Sequence, residues 1–65
     1  MQSISIITTV YNEEDCLHDY IEEIIKVKKK IKNYKIQLYF IDNGSTDNTY
    51  EILENIKKKH NWVKI

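Results

Sequence analysis

The chain has 65 residues, and its ten lysines balance its ten carboxylates, so the formal net charge is zero. The sequence contains no arginine, so no guanidinium fork is present to bind phosphate or guanine in a bidentate manner, which argues against a nucleic-acid partner. The single cysteine excludes an internal disulfide, and no cluster has structural-zinc spacing. A chain of this length buries only about 60% of its unfolded surface, so we expect marginal stability for it alone.

The first predicted element is a strand from Ile4 to Val10, a run dense in β-branched residues. It is far too short to span a bilayer. No basic region followed by a long apolar stretch occurs at the N-terminus, so the sequence favours a cytoplasmic, reducing location without a transmembrane segment.

A helix is predicted next, and Asn12 is a suitable N-cap for it, with acidic residues following at the positive end of the helix dipole. Apolar residues then recur with a period close to 3.6, namely Leu17, Ile21, Ile24, Ile25, Val27 and Ile31. A lysine run from Lys26 to Lys32 suits the negative helix end, and Asn33 can stop the helix. Dipole matching is sufficient reason for these lysines, so we favour a solvated helix end over a polyanion site.

The second half of the chain repeats this order. Ile36 to Ile41 is predicted as a strand, and Ser45 or Thr46 as the cap of a second helix whose buried face carries Ile52, Leu53 and Ile56. Lysines close this helix, His60-Asn61 is the break, and Trp62 to Ile65 indicates a third strand. Strands separated by helices predict a parallel β-α-β-α-β sheet with right-handed crossovers.

The handedness of these crossovers has a consequence for the sheet. With the third strand, the second and the first side by side in that order, both helices lie on one face, and the other face is bare. Yet the first two strands are nearly continuous apolar runs, which is typical of strands covered on both faces. We therefore expect residues 1–65 to be the front, incomplete portion of a larger domain, or to self-associate through the uncovered face.

Two polar turns follow the first two strands, and parallel strands place them at the same edge of the sheet, where ligands of open α/β sheets bind. In the first turn, Tyr11 can stack on a base or simply pack on the sheet, and Glu13 can accept from ribose hydroxyls or only match the helix dipole. In the second, Asp42 can bind a ligand or close an Asx-turn, and Asn43 can pair with a pyrimidine imide.

Other interpretations of the second turn are excluded. A calcium loop starting at Asp42 has Asp47 at its sixth position instead of glycine, and no Gly-Lys-Ser/Thr sequence forms a phosphate loop. Gly44 permits a positive φ and close approach of a ligand, or is a plain turn residue. Ser45, Thr46 and Asp47 are interpreted mainly as helix-start residues.

The two turns read T-V-Y-N-E-E at residues 9–14 and I-D-N-G-S-T-D-N-T at residues 41–49. The pair resembles the opening of the family 2 glycosyltransferases, and the resemblance runs from about Ile4 to Ile65. It implies an α/β fold, a three-stranded parallel Rossmann-like sheet that is the first half of a GT-A fold. It also implies an enzyme that transfers a sugar from a nucleotide-diphosphate donor to a hydroxyl of a glycan or lipid acceptor.

By this resemblance, Thr9, Tyr11 and Glu13 line the base and ribose pocket, while Asp42 and Asn43 hold the pyrimidine ring. Thr9 stands where many relatives have proline. Asn43 stands where the commonest motif has a second aspartate, so its base contact is neutral and both UDP-linked and dTDP-linked donors stay open.

Members of the family hold Mn²⁺ or Mg²⁺ with a D-x-D motif after a later strand, and their catalytic base lies further on. Neither is found in these 65 residues, so the resemblance implies no catalytic residue and no bound cofactor here, and an inactive chain by itself. The complete enzyme would be cytoplasmic or peripheral to a membrane. The alternatives are a stand-alone nucleotide-binding module and an oligomerising interaction module.

Overall fold

The computed structural model describes residues 2–65, which form two helices and three strands in the order β-α-β-α-β. The elements are β1 (Gln2–Val10), α1 (Leu17–Lys30), β2 (Tyr34–Asp42), α2 (Thr49–Lys59) and β3 (Val63–Lys64). The strands form one parallel sheet in the order β1-β2-β3. This architecture confirms the predicted α/β class and the start of a Rossmann-like, GT-A type sheet.

Strands β1 and β2 pair in parallel register along their whole length, from Gln2 opposite Tyr34 to Val10 opposite Asp42. Both strands begin two residues earlier than predicted, because the paired ladder continues beyond the apolar run that marks a strand in the sequence. Their carboxyl ends coincide in this register. The turns that follow them therefore start from adjacent positions at one edge of the sheet.

Both helices cover the same face of the sheet, as the right-handed crossovers require. Alternate residues of β1 and β2 point into a core with one stripe of each helix. Its fully or nearly fully buried members are Val10, Leu17, Ile21, Leu38, Phe40, Leu53, Ile56 and Val63. Tyr20 packs edge-to-face on Phe40 with ring centroids 6.0 Å apart.

The other face of the sheet is exposed. Ile7 is 68% and Ile41 51% accessible, and together with Tyr39 and Ile65 they line a shallow groove on that face. The expectation of an uncovered apolar face is therefore met within residues 2–65.

The starts of both helices differ from the prediction. Helix α1 begins at Leu17 with Cys16 as its N-cap, and α2 begins at Thr49 with Asn48 as its N-cap; neither cap makes a side-chain hydrogen bond to the helix. The assignment of Asn12, and of Ser45 or Thr46, as helix caps is therefore wrong. These residues lie in the turns before the helices, and their polar groups bond to the opposite turn instead.

The helix ends agree more closely with the sequence. Three lysines occupy the last turn of each helix, at Lys28–Lys30 and Lys57–Lys59. Since each helix runs back against the strands, these lysines lie toward the amino edge of the sheet, away from the two turns. Within residues 2–65, neither helix combines the length and the apolar character that a bilayer crossing needs.

Candidate functional site

Asn12 connects the turn after β1 to the turn after β2. Its backbone N–H donates to Ser45 Oγ at 2.9 Å, and its side-chain Oδ1 accepts from the Thr46 N–H at 2.8 Å. The residue has φ of +49°, in the left-handed region that asparagine enters more readily than most residues. In this conformation Asn12 presents both groups to the second turn.

Three further hydrogen bonds link the same two segments. The Glu13 N–H donates to Thr49 Oγ1 at 2.8 Å, and the Glu14 N–H to Asp47 Oδ2 at 3.4 Å. In return, the Asn48 N–H donates to Glu14 Oε2 at 3.3 Å. Residues more than thirty positions apart thus form one hydrogen-bonded unit.

The carboxylate of Asp42 is anchored through a single oxygen. Its Oδ1 accepts from the Ser45 N–H at 3.0 Å and from the Ser45 hydroxyl at 2.6 Å, the short distance expected of a charge-assisted bond. The side chain therefore closes the loop locally, but through the backbone N–H three residues on, not two residues on as in the Asx-turn that the sequence left open. Among residues 2–65, Asp42 Oδ2 has no hydrogen-bond partner.

Gly44 forms the bend between these groups, with φ of +83°. A side chain at this position would be strained by the backbone conformation, although no atom lies within 4 Å of where its Cβ would be. The glycine is therefore required by the turn, and the space beside it is open.

The five site residues predicted from the sequence lie together at the carboxyl ends of β1 and β2. Thr9 and Glu13 line a cleft of about 140 Å³ against α1. The Asn43 N–H donates to the Val10 carbonyl at 2.9 Å, which continues the β1–β2 ladder and places Asn43 beside Tyr11. Tyr11 is 54% accessible.

One carboxylate at this edge is electrostatically perturbed. Desolvation raises the pKa of Asp47, but hydrogen bonds from Thr49 and from the Glu14 N–H stabilise its charged form and leave the pKa below its ordinary value of 3.8. Asp47 is therefore ionised at neutral pH and serves as an acceptor for both turns.

The site residues do not fit a metal ion. Across residues 2–65, no group of three or more His, Cys, Asp or Glu side chains is arranged to hold one. The two carboxylates of the second turn, Asp42 and Asp47, accept hydrogen bonds from Ser45 and Thr49, respectively.

Sequence reasoning missed two contributors. Thr49 is completely buried and accepts from Glu13, and Tyr20 lines the cleft, where its hydroxyl lies 2.7 Å from Thr8 Oγ1. Thr49 is the last residue of the second turn motif, residues 41–49, but its hydrogen-bond partner Glu13 lies 36 residues away in the sequence. Tyr20 occupies a helical position that shows no local sign of facing the first turn.

Comparison with known proteins gives a consistent match. The family description Glycosyl transferase family 2 fits residues 5–65. The chain is 35% identical, in an alignment of 63 positions that covers 92% of the chain, to an undecaprenyl-phosphate 4-deoxy-4-formamido-L-arabinose transferase of Proteus mirabilis (strain HI4320). It is 34% identical over its whole length to a dolichyl N-acetyl-alpha-D-glucosaminyl phosphate 3-beta-D-2,3-diacetamido-2,3-dideoxy-beta-D-glucuronosyltransferase of Methanococcus voltae.

A third similar protein is a poly(ribitol-phosphate) beta-glucosyltransferase of Bacillus spizizenii (strain ATCC 23059 / NRRL B-14472 / W23), 32% identical over 95% of the chain. The chain spans 19%, 20% and 10% of the lengths of these three relatives, respectively. No solved structure matches it at a significant level.

Proposed function

Because the chain belongs to glycosyl transferase family 2, we propose that it forms the nucleotide-sugar-binding part of a glycosyltransferase. The complete enzyme transfers a sugar from a nucleotide-diphosphate donor to a hydroxyl acceptor. The observation that carries this proposal is the hydrogen-bonded unit of two turns, which holds Tyr11, Asp42 and Asn43 at one edge of the sheet. That edge is where open α/β sheets bind nucleotides.

The proposed roles divide between the two turns. Tyr11 stacks on the base with its exposed ring, and Thr9 and Glu13 contact the base and ribose from the adjoining cleft. Asp42 Oδ2 and the side-chain amide of Asn43 bind the polar edge of the pyrimidine. Fixed backbone geometry at both turns limits the conformational entropy lost on binding.

The donor and acceptor are proposed by class. A neutral Asn43 beside Asp42 suits the imide of uracil or thymine, so the donor is UDP-linked or dTDP-linked. Two of the relatives are named for undecaprenyl phosphate and a dolichyl-linked phosphate, and a third is named for poly(ribitol phosphate). These names support a lipid or glycan acceptor, and the lipid-linked acceptors suit an enzyme that works at a membrane surface.

Residues 2–65 do not fit a divalent metal ion. We propose that the Mn²⁺ or Mg²⁺ that the family resemblance implies is held by other residues of the complete enzyme. Within this chain, the proposed chemistry is confined to binding and orienting the nucleoside.

Calorimetric titration of the complete enzyme tests the proposal. We expect UDP or dTDP to bind more tightly than ADP, because a purine lacks the imide that Asp42 and Asn43 would read. Asp42→Ala should remove this preference. Equal affinity for UDP, dTDP and ADP, or a preference unaffected by Asp42→Ala, would contradict the assignment.

The exposed apolar face favours one alternative, an oligomerising interaction module without a ligand. The same titration distinguishes the two functions, since such a module would self-associate and bind none of the nucleotides.

A further inference from the structure

Ser45 lies between the two turns and contacts both. Its hydroxyl is 2.6 Å from Asp42 Oδ1 and 2.9 Å from the backbone nitrogen of Asn12. A sequence-based interpretation makes Ser45 a helix cap, but α2 begins four residues later, at Thr49. Its hydroxyl is therefore available for another role.

The donor and the acceptor in each of the two hydrogen bonds, from Asn12 to Ser45 and from Ser45 to Asp42, follow from the chemistry of the groups. The Asn12 N–H can only donate and an ionised Asp42 carboxylate can only accept, so the Ser45 hydroxyl accepts from the first and donates to the second. The hydroxyl thus acts as both acceptor and donor, and the two hydrogen bonds point the same way, from the first turn toward the Asp42 carboxylate. Such chains strengthen each bond through mutual polarisation.

The carboxylate of Asp42 is thereby held in one rotation. The Ser45 N–H and hydroxyl both bond Oδ1, whereas no residue among 2–65 bonds Oδ2. The two oxygens are chemically equivalent, so these bonds fix the plane of the carboxylate and, with it, the direction in which the unbonded oxygen faces.

We propose that Ser45 is a positioning residue for nucleotide recognition, which fixes Asp42 Oδ1 so that Oδ2 is the oxygen that accepts from the pyrimidine. This inference rests on the proposed function, because it requires Asp42 to contact the nucleotide. It adds that the first turn helps to orient the Asp42 carboxylate, through the hydrogen bonds from Asn12 to Ser45 and from Ser45 to Asp42.

The matched control is Thr49. Its hydroxyl accepts from the Glu13 N–H at 2.8 Å and so links the same two segments, but it makes no bond to Asp42. Ser45→Ala and Thr49→Val each remove one hydrogen bond between the turns and should both lower the melting temperature. A purely structural role for Ser45 predicts similar changes in nucleotide affinity for the two variants.

Titration calorimetry with UDP and dTDP on the complete enzyme separates these possibilities. We expect Ser45→Ala to weaken binding roughly threefold to tenfold, the scale of one lost hydrogen bond. Ser45→Thr, which keeps the hydroxyl, should bind within about twofold of the unmodified enzyme, and so should Thr49→Val. If Ser45→Ala does not fold, Ser45→Cys offers a weaker donor of similar size and should also bind more weakly.

A double-mutant cycle with Asp42→Ala gives the decisive readout. If Ser45 acts through Asp42, adding Ser45→Ala to Asp42→Ala should cause no further loss of affinity. Independent, additive losses would overturn the inference, as would normal binding by Ser45→Ala. An enzyme whose UDP and dTDP binding is absent, or unchanged by Asp42→Ala, would instead overturn the proposed function, and the inference with it.

Discussion

Individual residues at the carboxyl edge divide into those that hold the turns and those whose side chains are exposed to a ligand. Asn12, Ser45 and Thr49 use their polar groups on the opposite turn. Tyr11 and Asn43 are exposed, and neither side chain bonds another residue of the described part of the chain. The exposed pair is therefore where substitutions can change nucleotide affinity with least effect on folding.

Tyr11→Ala in the complete enzyme should weaken donor binding by roughly 1–3 kcal/mol, because one base-stacking contact is lost. Calorimetric titration measures the change. Tyr34→Ala is a suitable control, since Tyr34 is 40% accessible and begins β2 at the opposite edge of the sheet. Equal effects of the two substitutions would show that Tyr11 does not stack on the base.

Asn43→Leu tests whether the Asn43 side chain forms a hydrogen bond with the pyrimidine. Leucine cannot hydrogen-bond, so the ring carbonyl that accepts from the Asn43 amide would be buried without a partner, at a cost of about 1–3 kcal/mol in affinity. The backbone bond from Asn43 to Val10 does not depend on the side chain, so the melting temperature should change little. Unchanged binding in the same titration would remove Asn43 from the site.

Asp47 makes the stability of the linked turns depend on pH. Its pKa is lowered in the folded state, so its stabilising effect is present above the ordinary value of 3.8 and is lost as the pH falls through the lower folded value. Urea denaturation of the protein and of Asp47→Asn should show a stability difference that is constant above about pH 5 and shrinks toward pH 3. A difference independent of pH over this range would contradict the assigned role.

At the scale of elements, the strands and the helix ends could be predicted from the sequence, and the helix starts could not. Strands β1 and β2 carry β-branched and aromatic runs, and both helices end in lysines, all of which are local signals. Where a helix starts depends on which group each nearby polar residue bonds by a hydrogen bond. Asn12 is a residue type that often caps helices, yet it bonds Ser45 and Thr46, 33 and 34 residues away, which no local pattern indicates.

The candidate site shows the same division. That Thr9, Tyr11, Glu13, Asp42 and Asn43 share one sheet edge follows from parallel pairing, and the register confirms this placement. Their roles in nucleotide binding stay predictions. The anchoring of Asp42 through Oδ1 could not be derived from the sequence, because it depends on the rotamers of two turn residues.

Helix α2 depends on a small number of buried side chains. Leu53 is completely buried against the sheet, and the helix has only eleven residues, too few for stability without packing. Leu53→Ala should lower the free energy of unfolding of the complete enzyme by about 2–5 kcal/mol, as other large core truncations do. Chemical denaturation measures this loss. Glu54→Ala, an exposed neighbour on the same helix, should change stability by less than about 0.5 kcal/mol.

The whole molecule is asymmetric, with helices on one face of the sheet and exposed isoleucines on the other. We expect the isolated 65-residue chain to self-associate, because an exposed apolar surface of this kind promotes association. Light scattering coupled to size-exclusion chromatography should give a mass above that of the 7.9 kDa monomer. Ile7→Lys should reduce the mass, whereas Val27→Lys, on the outside of α1, should not. A stable monomer at high concentration would contradict this expectation.

Charge is also distributed unevenly along the strand direction, although it sums to zero. The lysine-rich helix ends lie at the amino edge, while Glu13, Glu14, Asp42 and Asp47 cluster at the carboxyl edge. The formal side-chain charges are therefore separated along the strand direction, and the negative end coincides with the candidate site. A diphosphate approaching that end is repelled by its field, so long-range attraction cannot bring the donor in. Under the proposed function, recognition within these residues therefore rests on the uncharged nucleoside, and we expect uridine or thymidine alone to retain most of the affinity that this segment contributes.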